Sequence, residues 1–211
     1  MQNDVVELVF ILDRSGSMAG LEKQTIDGFN EMIAKQKSLP GEAVVSTVLF
    51  DHEIILLHNR VNLQMIEPLS EEHYVVRGMT ALYDAIGKSI IRTERVYREL
   101  YDNEKPHKTL FVITTDGMEN ASTEFRLPEI KRMIEKHERL NRWEFLFLGA
   151  NIDAIKTAES FGIPSKNAAN FRADAQGIKH KYVVLHDAIA CFRKDVKSLG
   201  KDKTDDYFSS K

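Results

Sequence analysis

Apolar residues along the chain follow two rhythms. In the first, short runs are apolar almost throughout: Val5 to Leu12, Ala43 to Phe50, Thr109 to Thr114 and Trp143 to Leu148. Such runs, rich in β-branched and aromatic residues, predict strands buried on both faces, as central parallel strands are. Glu53 to His58 follows the second run after only Asp51-His52 and predicts a hairpin partner at the sheet edge. Ala168 to Phe171 predicts a short final strand. In the second rhythm apolar residues step by three and four, which predicts helices. Ile26, Phe29 and Ile33 form one such face, and Leu82, Ala85, Ile86, Ser89, Thr93, Val96 and Leu100 form another. Ile130, Met133, Ile134 and His137 form a third, with Pro128 suited to a first helical position. The longest stripe is Ile178, Tyr182, Leu185, Ile189, Phe192, Val196 and Leu199. Strands alternating with helices predict an α/β fold, a mostly parallel sheet covered on both faces. Ligands of such sheets bind beyond the carboxyl ends of the strands, so the residues that follow each run carry the functional information.

Asp13-Arg14-Ser15-Gly16-Ser17 follows the first run, and Thr115-Asp116-Gly117 follows the run that starts at Thr109. Gly78-Met79-Thr80 precedes the helix expected to start near Ala81. The topology puts these loops on one edge of the sheet. There, the Asp13 and Asp116 carboxylates meet the hydroxyls of Ser15, Ser17 and Thr80. An all-oxygen set without His or Cys suits a hard cation, and a compact octahedral one suits Mg²⁺ or Mn²⁺ over Ca²⁺. Two carboxylates roughly neutralise such an ion and hydroxyls add no charge, so it keeps an appetite for one more anionic oxygen. Taken singly, Asp-x-Ser-x-Ser also suits a helix N-cap and Asp116-Gly117 a turn.

Asp13-x-Ser15-x-Ser17, Thr80 and Asp116 together resemble the complete metal-ion-dependent adhesion site (MIDAS) of the von Willebrand factor A family. The resemblance runs from about Val5 to Phe192 and is to an intracellular, bacterial-type member. It implies a Rossmann-like three-layer sandwich with a six-strand sheet and one antiparallel edge strand. It also implies capture of a partner's Asp or Glu carboxylate by the bound Mg²⁺, with Thr80 ligation shifting as the ligand arrives. Intracellular members work beside AAA+ ATPases or in stress and metal-resistance systems, which gives the partner class expected here.

Composition narrows the remaining choices. The 211 residues carry a net charge of −3 from interleaved charges and show no linker, repeat or low-complexity segment. One domain over residues 1–200 with a polar tail at 201–211 is expected. No basic arm suggests nucleic acid binding. Lys131, Arg132, Lys136, His137, Arg139 and Arg142 are interrupted by Glu135 and Glu138, as on a solvated helix face. Cys191 is the only cysteine and sits beside Phe192, where a core position is expected. The start of the chain lacks the basic residues of a signal peptide, and no run reaches the roughly 18 apolar residues of a membrane span. A reducing, cytoplasmic setting with no membrane or nucleic acid partner is expected, and there the Asn120-Ala-Ser122 sequon carries no meaning. Gly87-Lys88-Ser89 lacks the upstream Gly of a phosphate-binding loop, since Leu82 stands in its place. A Mg²⁺-dependent phosphohydrolase using Asp13 as nucleophile is the rival reading, but Ser15 stands where that chemistry puts an acid. A purely structural metal staple is the other rival. The expectation is a non-enzymatic interaction module.

Overall fold

The computed structural model describes residues 4–194 and Phe208. Its strands are β1 (Val6–Asp13), β2 (Ala43–Phe50), β3 (Ile54–Asn62), β4 (Lys108–Thr115), β5 (Trp143–Gly149) and β6 (Ala168–Asn170). They form one six-stranded sheet in the order β3-β2-β1-β4-β5-β6. β3 runs antiparallel to β2, and every other neighbouring pair is parallel. The helices are α1 (Glu22–Lys37), α2 (Leu82–Glu99), α3 (Leu127–Asn141), α4 (Ala154–Ser160) and α5 (Ala175–Lys194).

The central strands are apolar throughout because each serves two cores. Leu8, Phe10 and Leu12 of β1 point into the cluster under α1 and α5, where Phe10 meets Phe29 edge-on at 5.4 Å. Val9 and Ile11 point the other way, into the cluster covered by α2, α3 and α4. Glu7, a carboxylate within this apolar run, is buried with the Arg60 guanidinium 3.1 Å away. Phe208 is half-buried against the α1 and α5 cluster, which the polar composition of the tail does not suggest. Val196, Leu199 and the expected domain boundary at residue 200 lie outside the described residues.

Several expectations need correction. β3 extends to Asn62 because pairing with β2 resumes past register shifts between Val45 and Val48, with Val61 opposite Val45 and Asn62 opposite Val44. Arg60 takes a left-handed φ of 49° there and donates its N–H to Ser46 Oγ at 3.1 Å, so the polar stretch after His58 continues the strand. β6 ends one residue early, at Asn170. α4 has seven residues and too sparse an apolar pattern to announce itself. Pro128 is the second residue of α3, which begins at Leu127.

Cys191 is exposed, because Leu185, Ala188, Ile189 and Phe192 already form the buried stripe of α5. His137 is likewise not on a solvated face. It is buried and stacked on Trp143 at 3.9 Å, with Nε2 2.8 Å from Glu94 Oε1. Lys131, Arg132, Lys136, Arg139 and Arg142 do stay at the surface. Gly87-Lys88-Ser89 lies inside α2, where Ser89 donates to the Ala85 carbonyl at 2.7 Å. Among the described residues, no helix is long and apolar enough to cross a membrane.

Candidate metal centre

Sheet register builds the floor of the site. β1 and β4 are in parallel register with Leu12 opposite Thr114, which sets Asp13 beside Thr115. Thr115 Oγ1 donates to Asp13 Oδ2 at 2.5 Å, and the Ser15 N–H donates to Asp13 Oδ1 at 2.7 Å. The Tyr74 hydroxyl donates to the Asp13 carbonyl, so the strand end is held from below as well. Ser15 then stands at the N-cap of a short 3-10 turn, Gly16–Met18, but its side chain caps nothing. Instead, its hydroxyl turns toward the other loops.

Three hydroxyls and a carboxylate form one hydrogen-bonded row. Thr80 Oγ1 donates to Ser15 Oγ at 3.0 Å, Ser15 Oγ and Ser17 Oγ lie 3.2 Å apart, and Ser17 Oγ donates to Asp116 Oδ1 at 2.5 Å. Gly117 backs this row. A Cβ there would lie 3.1 Å from Ser17 Oγ and 3.2 Å from Thr80 Oγ1, so only glycine leaves the hydroxyls where they are. The five residues named from the sequence thus converge at one place.

Two further residues fix the Thr80 loop. The Asn120 side chain accepts the Thr80 N–H at 2.8 Å, and the Asn120 N–H donates back to the Thr80 carbonyl at 3.0 Å. On the other side the Ala81 N–H donates to the Asp51 carbonyl at 2.8 Å. The wholly buried Asp51 carboxylate lies 3.0 Å from the Arg14 guanidinium and 3.1 Å from that of Arg77. It therefore ties the loop after β1 to the loop before Thr80. Gly78, at φ 69°, donates no side chain to this crowd, since a Cβ would collide with the His52 ring.

Burial dominates the electrostatics. It pushes the Asp13 carboxyl up to about 6, against the downward pull of the Thr115 and Ser15 hydrogen bonds, and the neighbouring Asp116 adds to the rise. Asp116 is also raised by burial, while Ser17 and Lys181 pull it down. Lys181, buried on α5 with Nζ 4.7 Å over Phe171 and 4.6 Å over Tyr182, is itself lowered to about 8 by desolvation. The fields of Asp116 and Asp13 partly restore it.

The donor set fits a hard divalent cation. Asp116 Oδ2 is buried and accepts no hydrogen bond among the described residues. A buried carboxylate oxygen left bare is costly unless a cation faces it. No group of three or more His, Cys, Asp or Glu side chains gathers among the described residues, so the set here is two carboxylates completed by hydroxyls.

No protein-family model matches the sequence, and no curated protein matches it. Solved structures do match. Proximal thread matrix protein 1 from the mussel byssus, with a zinc-occupied MIDAS motif, superposes with a TM-score of 0.59 at 12% identity, over 88% of this chain and 46% of that one. The ArnB paralog VWA2 from Sulfolobus acidocaldarius gives 0.53 at 18% identity, over 87% of this chain and 45% of that one. The fold is that of a von Willebrand factor A domain. A D319A mutant of the PilB minor pilin from Streptococcus sanguinis gives 0.60 at 11% identity, over 95% of this chain and 64% of that one. The chain thus spans about half the length of the first two structures and under two thirds of the third.

Within this A-domain fold, sequence reasoning missed Asp51, Asn120 and Lys181. Lys181 alone left a signal, since it stands three residues after Ile178 and four before Leu185, on the apolar stripe of its helix. Asp51 read as a hairpin turn residue and Asn120 as part of an uninformative sequon.

Proposed function

We propose that the chain is a divalent-cation-dependent protein-interaction module. In this reading Asp13, Ser15, Ser17, Thr80 and Asp116 hold one Mg²⁺ or Mn²⁺, and a carboxylate from a partner protein completes the site. The observation that carries it is the bare, buried Asp116 Oδ2 at the end of the hydroxyl row. When bound, the ion supplies an electrophilic position for one more anionic oxygen. The residues do the rest. Gly117 keeps the row open, Asp51 and Asn120 hold the Thr80 loop, and Lys181 adds a buried amine whose charge is coupled to Asp116 and Asp13. The zinc-occupied MIDAS of the mussel byssus protein supports divalent-cation binding on this fold.

Residue chemistry supports binding over catalysis in this reading: Ser15 stands two residues after Asp13, where phosphohydrolase chemistry puts the acid that protonates the leaving group. The partner class we carry forward, an AAA+ ATPase or stress-resistance assembly in the cytoplasm, rests on family resemblance alone.

Calorimetry with Mg²⁺, Mn²⁺ and Zn²⁺ on the native protein, Asp13→Ala and Asp116→Ala tests the ligand set. Binding is expected in the native protein and lost or greatly weakened in both variants, and unchanged affinity in both refutes it. Thr80→Ala should weaken partner capture more than fold stability. Metal-dependent turnover of p-nitrophenyl phosphate, abolished by Asp13→Asn, would establish the phosphohydrolase reading instead.

A further inference from the structure

Lys181 stands on the apolar face of α5, between Ile178 and Leu185, and is 2% exposed. Its Nζ packs over the rings of Phe171 and Tyr182, and among the described residues no carboxylate pairs with it. Arg14, also buried beside the metal residues, has Asp51 as its counter-ion. Sheet register places the amine. Asn170, Gly149 and Thr115 form one row across β6, β5 and β4, so Phe171 and Asp116 each come one residue past that row. The Phe171 N–H donates to the Gly149 carbonyl at 2.9 Å, as the Ala150 N–H does to the Thr115 carbonyl at 3.0 Å, which fixes this level of the sheet edge. Two strand spacings, about 10 Å, then separate the Phe171 and Asp116 backbones. The amine over the Phe171 ring thus acts on the metal residues through its field and not by contact, and Asp116 and Asp13 in turn favour its charged form.

Charge counting gives this position a role. The Asp13 and Asp116 carboxylates cancel a divalent ion. The Lys181 amine, lowered to about 8, still carries its proton at pH 7, so the loaded site keeps a positive charge in excess. We infer that Lys181 is a standing counter-charge to the metal: it weakens binding of the cation and strengthens binding of the anionic oxygen that follows. The inference rests on the metal-capture reading above and adds to it a charge outside the ligand set. Across several ångströms of a partly dry cleft, an ammonium changes the affinity for a divalent ion by about tenfold. Removing the charge therefore moves the two affinities in opposite directions, which a packing role for Lys181 does not do.

Lys181→Met in the full chain is the test, since an unbranched, polarizable side chain keeps the contact with both rings and loses the charge. Calorimetry at pH 7 should show Mg²⁺ bound about tenfold tighter than by the native chain. A trivalent lanthanide should gain more, about thirtyfold, because the repulsion scales with the charge of the ion. Acetate titrated into the Mg²⁺-saturated protein and followed by NMR should bind severalfold more weakly to the variant. Lys181→Gln, equally neutral, repeats the comparison should the Met variant fail to fold. Mg²⁺ affinity that is unchanged or weaker, a lanthanide gain no larger than that for Mg²⁺, or unchanged acetate affinity overturns the inference and leaves the metal reading standing. Mg²⁺ binding that is absent from the native chain, or that survives Asp116→Ala at full strength, overturns the metal reading instead. Acetate that fails to bind the native Mg²⁺-loaded protein overturns carboxylate capture and this inference with it.

Discussion

Asp51→Asn is the most informative single change to the loops that frame the metal site. Asn keeps an acceptor for the Glu53 N–H, which Asp51 Oδ1 receives at 2.6 Å, and removes only the charge. Two guanidinium groups then lose their counter-ion. The Arg14 side chain is 4% exposed and the Asp51 side chain 0%, so Arg14 is left as a buried, uncompensated cation, which costs about 3–5 kcal/mol. Arg77 is 43% exposed, and its loss adds less than about 1 kcal/mol. Set against a native stability of about 5–15 kcal/mol, this is a large fraction, and Tm should fall by roughly 10 °C. Urea unfolding followed by circular dichroism measures it. The companion variant Arg14→Met removes the other half of the pair, and the double variant leaves neither charge buried. It should therefore recover much of the loss, with a coupling of about 2 kcal/mol or more. In the variant that remains folded, Mg²⁺ affinity should drop severalfold, because the Arg14–Ser17 and Arg77–Thr80 segments lose their common anchor. A destabilisation under about 1 kcal/mol, or single effects that simply add in the double variant, would refute the reasoning.

Three further outcomes are expected. Gly117→Ala pushes a methyl group to 3.1 Å from Ser17 Oγ and 3.2 Å from Thr80 Oγ1, so calorimetry should show Mg²⁺ affinity reduced about tenfold or more, while the melting temperature changes little. Asn120→Ala deprives the Thr80 N–H of its acceptor, costing about 1–2 kcal/mol in urea unfolding and weakening Mg²⁺ binding, whereas Asn120→Asp keeps the acceptor and should restore both. Glu138 is raised to about 7 by burial, with Glu144 and Glu135 adding to the rise, so the folded state holds a proton that the unfolded chain has released. Its contribution is present below about pH 4.5 and is lost as pH rises through about 7, so Glu138→Gln should raise stability at pH 8 but not at pH 4, by about 1 kcal/mol after solvent screening.

What the sequence revealed and what it hid divide along a physical line. The central strands were legible because burial on two faces leaves an unbroken apolar run, and Asp13, Thr80 and Asp116 were legible because they stand where such runs end or a helix begins. The contact that closes the site, Ser17 to Asp116, spans 99 residues; the shared sheet edge brought the two loops together, but which hydroxyl meets which carboxylate was not legible. Asp51 was hidden because a turn aspartate and a buried ionic hub look alike until Arg14 and Arg77 arrive from other loops. His137 belongs to two patterns, the apolar stripe with Ile130 and Ile134 and a run of charged neighbours; the stripe is where it lies, because that edge of the helix faces Trp143. Cys191 erred the other way, since an apolar helix of 20 residues still turns part of its circumference to water.

The two margins of the sheet bear on how this protein meets other chains. An exposed strand with regular spacing is a template onto which a foreign strand can be added, the first step toward fibrils. Here β6 offers three residues, too few for a lasting ladder. β3 is longer, but the irregular stretch opposite Val45 to Val48, with Arg60 in a left-handed conformation, twists its outer hydrogen-bonding row out of line. Both lateral routes to self-templating are thereby blunted. Backbone pairing, the mode of association that accepts almost any sequence, is disfavoured along either edge.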